Sequence, residues 1–154
     1  QVVTGNRIVC LDRRKNLVID ENEVERKFGI SPRSIPDYLG LMGDSSDGIP
    51  GVPKWGAKAS STLLARYGFI ESIPKDYRLW DVSVRGASTL SMSLEKHRLE
   101  ANLYKRLATL RLDVPIVQSV DELEWRGADK SLFPELCIEL GISNLRESPN
   151  KWLS

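Results

Sequence analysis

The stretch Leu41-Met42-Gly43-Asp44-Ser45-Ser46-Asp47-Gly48-Ile49-Pro50-Gly51-Val52-Pro53-Lys54-Trp55-Gly56-Ala57-Lys58-Ala59 limits the fold more than any other part of the chain. Its glycines and prolines exclude a continuous helix or strand. Helix-spaced apolar residues lie on both sides, so two helices must be joined by a tight hairpin. Glycine lets that hairpin's backbone come close to a ligand. Amides near Gly56, Ala57 and Lys58 would point outward at a helix start and suit one phosphate oxygen. Lys58 adds charge in the first turn. Just before the hairpin, Asp44 and Asp47 offer hard oxygen ligands to a divalent metal. Taken singly, each feature has a plainer reading. Aspartates also form turns and caps, and a glycine-rich turn also serves as a mere helix–helix connection.

The rest of the chain reads as mainly α. Arg7–Leu11 and Leu17–Ile19 read as two short strands of a β-hairpin, with Arg13-Arg14-Lys15 in its exposed turn. Asp20 and Glu23 match a capping pattern for a helix that Gly29 ends. Ser31–Ser34 reads as a loop. Ile35–Met42 is a second helix, with Pro36 in its first turn and Gly43 after it. Lys58–Tyr67 is a third, stopped by Gly68. Ala87–Thr109 is a long helical stretch broken near Ser93, with Leu90, Leu94, Leu103, Leu107 and Leu110 as its buried side. Arg111–Val117 is extended around Pro115, and Leu132–Leu140 is a last helix.

A chain of 154 residues with 41% hydrophobic content supports one compact domain with room for a small appendage. No apolar run spans a membrane, and a cytoplasmic location is expected. The net charge is +1, so any nucleic-acid site must be a local patch. Cys10 and Cys137, in apolar contexts, read as reduced buried thiols. His97, the only histidine, is expected to face solvent. No Ser/His/Asp or Cys/His nucleophile set assembles, and the hairpin lacks P-loop spacing. Trp55 has two readings, base stacking or an apolar plug between the helices. Lys54, Lys58 and Arg66 are candidates for a phosphate-facing patch, with Ser60 and Ser61 on the following turn.

Leu41 through Val52 resembles the signature of bacterial 5'–3' exonucleases, the flap endonuclease relatives that also form the N-terminal domain of DNA polymerase I. The resemblance continues through the hairpin to Ala65-Arg66-Tyr67-Gly68 and on to Leu110-Arg111-Leu112-Asp113-Val114-Pro115. It implies a SAM-like helix-hairpin-helix fold that binds the duplex backbone and often a monovalent cation, K⁺ for instance. It implies that Asp44 and Asp47 are the last two carboxylates of a two-metal site using Mg²⁺ or Mn²⁺. It implies that Gly51, Val52, Lys54, Gly56, Ala57, Lys58 and Ser60 form the phosphate-binding hairpin. Val52 and Trp55 would offer carbonyls to the monovalent cation.

Two departures stand out. The family's Gly-Ile-Gly reads Lys54-Trp55-Gly56 here, so a Cβ replaces the first glycine and a different turn backbone is expected. The family's other metal carboxylates, ending in an Asp-x-Asp motif on a parallel α/β sheet, lie upstream of Gln1. The chain therefore reads as the C-terminal part of such a nuclease: residues 1–19 the β tail of its N-terminal domain, 20–115 the DNA-binding subdomain, and 116–154 an extension with one helix. The expected partners are double-stranded or flapped DNA and the N-terminal nuclease domain of the same protein, with no membrane. Alone, the segment would be inactive. The alternatives are a non-catalytic DNA-binding module and a purely structural helical domain.

Overall fold

The computed structural model describes residues 1–116, 119–145 and 147–153. It divides into two compact units, Gln1–Arg111 and Leu112–Ser154. The fold is mainly helical and opens with a two-stranded antiparallel hairpin, β1 (Cys10–Asp12) and β2 (Leu17–Ile19). β1 is shorter and later than its apolar run suggests. Ile8 is taken into a separate turn, where its amide and carbonyl both bond to Thr4. Only Asp12 and Ile19 of the ribbon's paired residues are half-buried, and Cys10 is exposed, against the expectation of burial; Cys137 is buried.

Helix α1 (Glu21–Phe28) starts where Asp20 accepts the Glu23 amide at 2.9 Å and ends at Gly29. Pro32–Ser34, expected as loop, forms a 3₁₀ turn leading into α2 (Ile35–Met42). α3 (Ala57–Tyr67) begins one residue earlier than its sequence suggests. The long stretch after it divides into α4 (Ala87–Lys96) and α5 (Arg98–Ala108). The break falls at His97 rather than near Ser93. The His97 amide and ring Nδ1 both converge on the Ser93 carbonyl, at 3.1 and 2.9 Å. This closes α4 and leaves His97 half-buried rather than facing solvent.

The core of the first unit gathers Leu41, Val52, Trp55, Leu63, Leu64, Ile70, Ile73, Leu90 and Leu94 from α2, the hairpin, α3, the turn after α3 and α4. α5 joins through Ala101, which is fully buried. α2 approaches it so closely that a Cβ on Gly40 would lie 3.1 Å from the Ala101 carbonyl. Leu103, Leu107 and Leu110, expected as buried, are exposed. Small residues form the contact, and the leucine stripe lies on another side of α5.

Asp37 ties these elements together from inside. One of its carboxylate oxygens accepts the Ile70 amide and meets Lys105 Nζ, both at 2.8 Å. The other oxygen has no partner, and burial pushes the carboxyl above its ordinary range. Lys105 also pairs with Glu71 at 2.8 Å.

In the second unit, α6 (Leu132–Glu139) is led in by Asp129, whose carboxylate accepts the Ser131 and Leu132 amides. Ala128 bridges Trp152, whose ring meets Phe133 edge-on at 6.0 Å. Of the extended stretch expected over Arg111–Val117, Val117 lies outside the described residues, and the remainder holds no helix or strand. Among the described residues no helix is long and apolar enough to cross a membrane.

Candidate nucleic-acid and metal interface

α2 ends at Gly43, and the chain turns at once into a closed loop. Asp44 and Ile49 exchange amide–carbonyl bonds in both directions at 2.8 Å. The Asp44 side chain accepts the Ser46 amide at 2.9 Å, an Asx turn that fixes the carboxylate. Asp44 is half-buried and Asp47 exposed. Neither forms an ion pair with another described residue. Among the described residues no three His, Cys, Asp or Glu side chains converge as a metal site. The two carboxylates are hard oxygen donors, so they fit Mg²⁺ or Mn²⁺ in kind while supplying only part of a coordination sphere.

The end of α2 is pressed against the start of the hairpin that follows. Gly51 has φ 74°, and a Cβ there would lie 2.5 Å from the Gly43 nitrogen and the Met42 carbonyl carbon. The Val52 amide donates to the Leu41 carbonyl at 2.8 Å. The Trp55 amide donates to the Val52 carbonyl at 3.1 Å, closing a turn over Pro53 and Lys54. Lys54 has φ 75°. Proline followed by a positive φ is the pattern of a type II turn, where glycine normally takes the second place. The turn thus keeps a glycine-like backbone despite the Cβ, contrary to the change expected from sequence. Of the two candidate cation-ligand carbonyls, that of Val52 already accepts one hydrogen bond, and that of Trp55 belongs to a residue whose side chain is turned into the core.

That side chain is buried. Its Nε1 donates to the Leu90 carbonyl at 3.1 Å, and its ring meets Trp80 edge-on. Ser93 Oγ donates to the Pro53 carbonyl at 2.5 Å, so α4 holds the hairpin at two points. Trp55 is therefore the plug rather than a stacking platform. Trp55→Phe should lower stability by about 1–2 kcal/mol, since it removes the buried bond from Nε1 to the Leu90 carbonyl and leaves part of the indole's space unfilled. Duplex affinity should be unchanged. Urea unfolding together with a binding titration checks both, and a loss of affinity at full stability would restore the stacking reading.

α3 starts at Ala57 with Gly56 as an extended N-cap and no side chain capping its first amides. Helix geometry leaves those amides directed away from the helix. Gly56, Ala57, Lys58 and Lys54 are exposed, and neither lysine has a carboxylate partner among the described residues. Four other candidates sit differently. Ser60 is fully buried with its hydroxyl unpartnered, because it lies on the core side of α3, so its side chain does not face a ligand. Gly51 and Val52 are buried too. Ser61 donates to the Phe28 carbonyl at 2.6 Å.

Arg66 is bound to Asp81, with its Nε 2.6 Å from Oδ2. That bond holds the Asp81 carboxyl below its usual range. Sequence reasoning missed Asp81, since a single aspartate in a loop carries no spacing signal.

A model of the family described as 5'-3' exonuclease, C-terminal SAM fold, matches residues 30–131. The chain belongs to this family. It is similar to a 5'-3' exonuclease of Buchnera aphidicola subsp. Baizongia pistaciae, 40% identical over 66% of this chain and 34% of that protein. It is 37% identical to DNA polymerase I of Bacillus caldotenax over 80% of this chain and 14% of that protein. It is 30% identical to a 5'-3' exonuclease of Aquifex aeolicus over 98% of this chain and 49% of that protein. The chain thus spans less than half the length of each of these exonuclease-family relatives.

Proposed function

We propose that this chain is the DNA-gripping, metal-contributing part of a divalent-metal-dependent 5'–3' exonuclease or flap endonuclease. The observation that carries the proposal is the uncapped start of α3, flanked by two lysines without ion-pair partners, at the end of a hairpin locked onto α4. Outward amides and positive charge hold a backbone phosphate without reading a base. Asp44 and Asp47, a short loop away, would help hold Mg²⁺ or Mn²⁺. A metal pair held there would supply an activated water and charge stabilisation at the leaving oxygen for phosphodiester hydrolysis. This chain's own contribution is to fix the Asp44 carboxylate through the Ser46 amide and to seat the duplex beside it. The remaining carboxylates would come from an N-terminal nuclease domain of the same protein, in the cytoplasm. A K⁺ ion within the hairpin would take carbonyls of Val52 and Trp55. The substrate is double-stranded or flapped DNA.

Charge reversal at Lys58 tests the grip. Lys58→Glu should weaken duplex binding roughly 10- to 100-fold, the scale of one charged hydrogen bond. The loss should be alike for unrelated sequences, as fluorescence anisotropy would read it. A loss confined to one sequence would favour base readout instead. No loss at all would leave a structural helical domain.

A further inference from the structure

Beside Lys58 lies a recess of about 350 Å³, lined by Lys58, Ala59, Thr62, Ser83, Val84 and Arg85. Its far wall comes from the loop between Trp80 and α4. That loop is stapled to the other end of α3. Asp81 takes Arg66 Nε at 2.6 Å and the Tyr67 hydroxyl at 2.8 Å, and the Asp81 amide donates back to that hydroxyl at 3.0 Å. Val82 and Val84 pack on the core. From this anchor the loop brings Ser83 and Arg85 back to the first turns of α3.

The charges of the recess are one-sided. No carboxylate lines it. Between residues 57 and 98 the chain has four arginines. Arg66 pairs with Asp81, Arg78 with Asp76 and Arg98 with Glu95. Arg85, at the recess, has no such partner among the described residues. An arginine left free among paired neighbours, opposite a free lysine, offers a forked donor and a point charge to one anion.

We propose that the recess between Lys58 and Arg85 is a second subsite for a nucleic-acid backbone phosphate, next along the strand from the phosphate at the start of α3. The inference rests on the phosphate-gripping reading of α3 and deepens it. A single phosphate contact lets a duplex pivot, whereas two contacts on one strand fix its direction across the hairpin.

The test uses the 154-residue chain and a labelled DNA duplex, titrated between about 50 and 200 mM salt. Arg85→Ala should bind about tenfold more weakly, and its log–log salt slope should be shallower by about 0.9, the loss of one phosphate contact. Matched thermal melts establish that the variant is folded. If Lys58→Ala weakens binding and Arg85→Ala does not, the second subsite is overturned and the α3 grip stands. If neither variant matters, both fall. An equal loss in Arg126→Ala, which lies away from the recess in sequence and in the second unit, would reduce the effect to general charge and overturn the subsite. Titration with inorganic phosphate at fixed ionic strength separates the remaining source. Loss of phosphate-ion binding in Arg85→Ala with duplex affinity intact would assign the recess to a free anion and overturn the proposal.

Discussion

Asp44→Asn or Asp47→Asn, in a full-length family nuclease carrying this segment, is expected to slow hydrolysis about 10²- to 10³-fold. Duplex affinity should move by less than about twofold. The size follows from the several kcal/mol of charge stabilisation that a metal ion supplies, at about 1.4 kcal/mol per tenfold in rate. The asymmetry follows from position. Both carboxylates sit on the loop before the hairpin, whereas the cationic groups sit at and beyond the turn. In Asp44→Asn the side-chain amide oxygen can still accept the Ser46 amide, so the loop should keep its shape. Single-turnover cleavage of a flapped duplex with Mg²⁺, beside a binding titration in chelator, measures the two effects separately. Equal losses in rate and affinity would mean that the aspartates shape the DNA site rather than hold metal. By the same reasoning, the 154 residues alone should bind DNA and cut nothing, since two carboxylates supply too few ligands to hold two cations together.

Gly51→Ala should destabilise the fold by about 3 kcal/mol. A left-handed backbone costs a Cβ-bearing residue about 1–2 kcal/mol, and a forced overlap adds a similar amount. The overlap is with main chain, which no rotamer change relieves: the new Cβ would sit 2.5 Å from Gly43 N. Gly48 supplies the comparison. It has φ 70° with nothing within 4 Å, so Gly48→Ala should cost only about 1–2 kcal/mol. Urea midpoints of the two variants decide the matter. Equal midpoints would show that the contact between the end of α2 and the hairpin, across the neck of the aspartate loop, is not tight. Because that contact sets the aspartate loop against the proposed phosphate grip, Gly51→Ala should also disturb cleavage in a full-length family nuclease carrying this segment.

Local signals in the sequence carried far where the chemistry was local. α2 runs over Ile35–Met42 as its proline and glycine borders indicate, and Asp20 and Gly29 bound α1. The family signature led to the SAM-like fold. What failed was long-range. Periodicity marked Leu103, Leu107 and Leu110 as apolar, yet a stripe is buried only where another element meets it, and α2 meets α5 at Ala101 through Gly40. The helix break moved to His97 because a side chain and an amide share one carbonyl there. Ser60 belongs to the core face of α3, a phase set by which side of the helix meets the other elements. Lys54 has a positive φ that its residue type disfavours, because hydrogen bonds on both sides of Pro53 close the turn. Asp81 and Arg85 could be placed only once the loop was seen folded back along α3.

A hairpin that grips DNA by its backbone binds unrelated sequences alike and loses its hold as salt rises. The most direct measurement is the affinity of the 154-residue chain for three duplexes of unrelated sequence across a salt series. Backbone gripping should give dissociation constants that agree within about twofold and rise steeply and linearly with salt on log–log axes. A preference for one sequence, or affinity indifferent to salt, would contradict it.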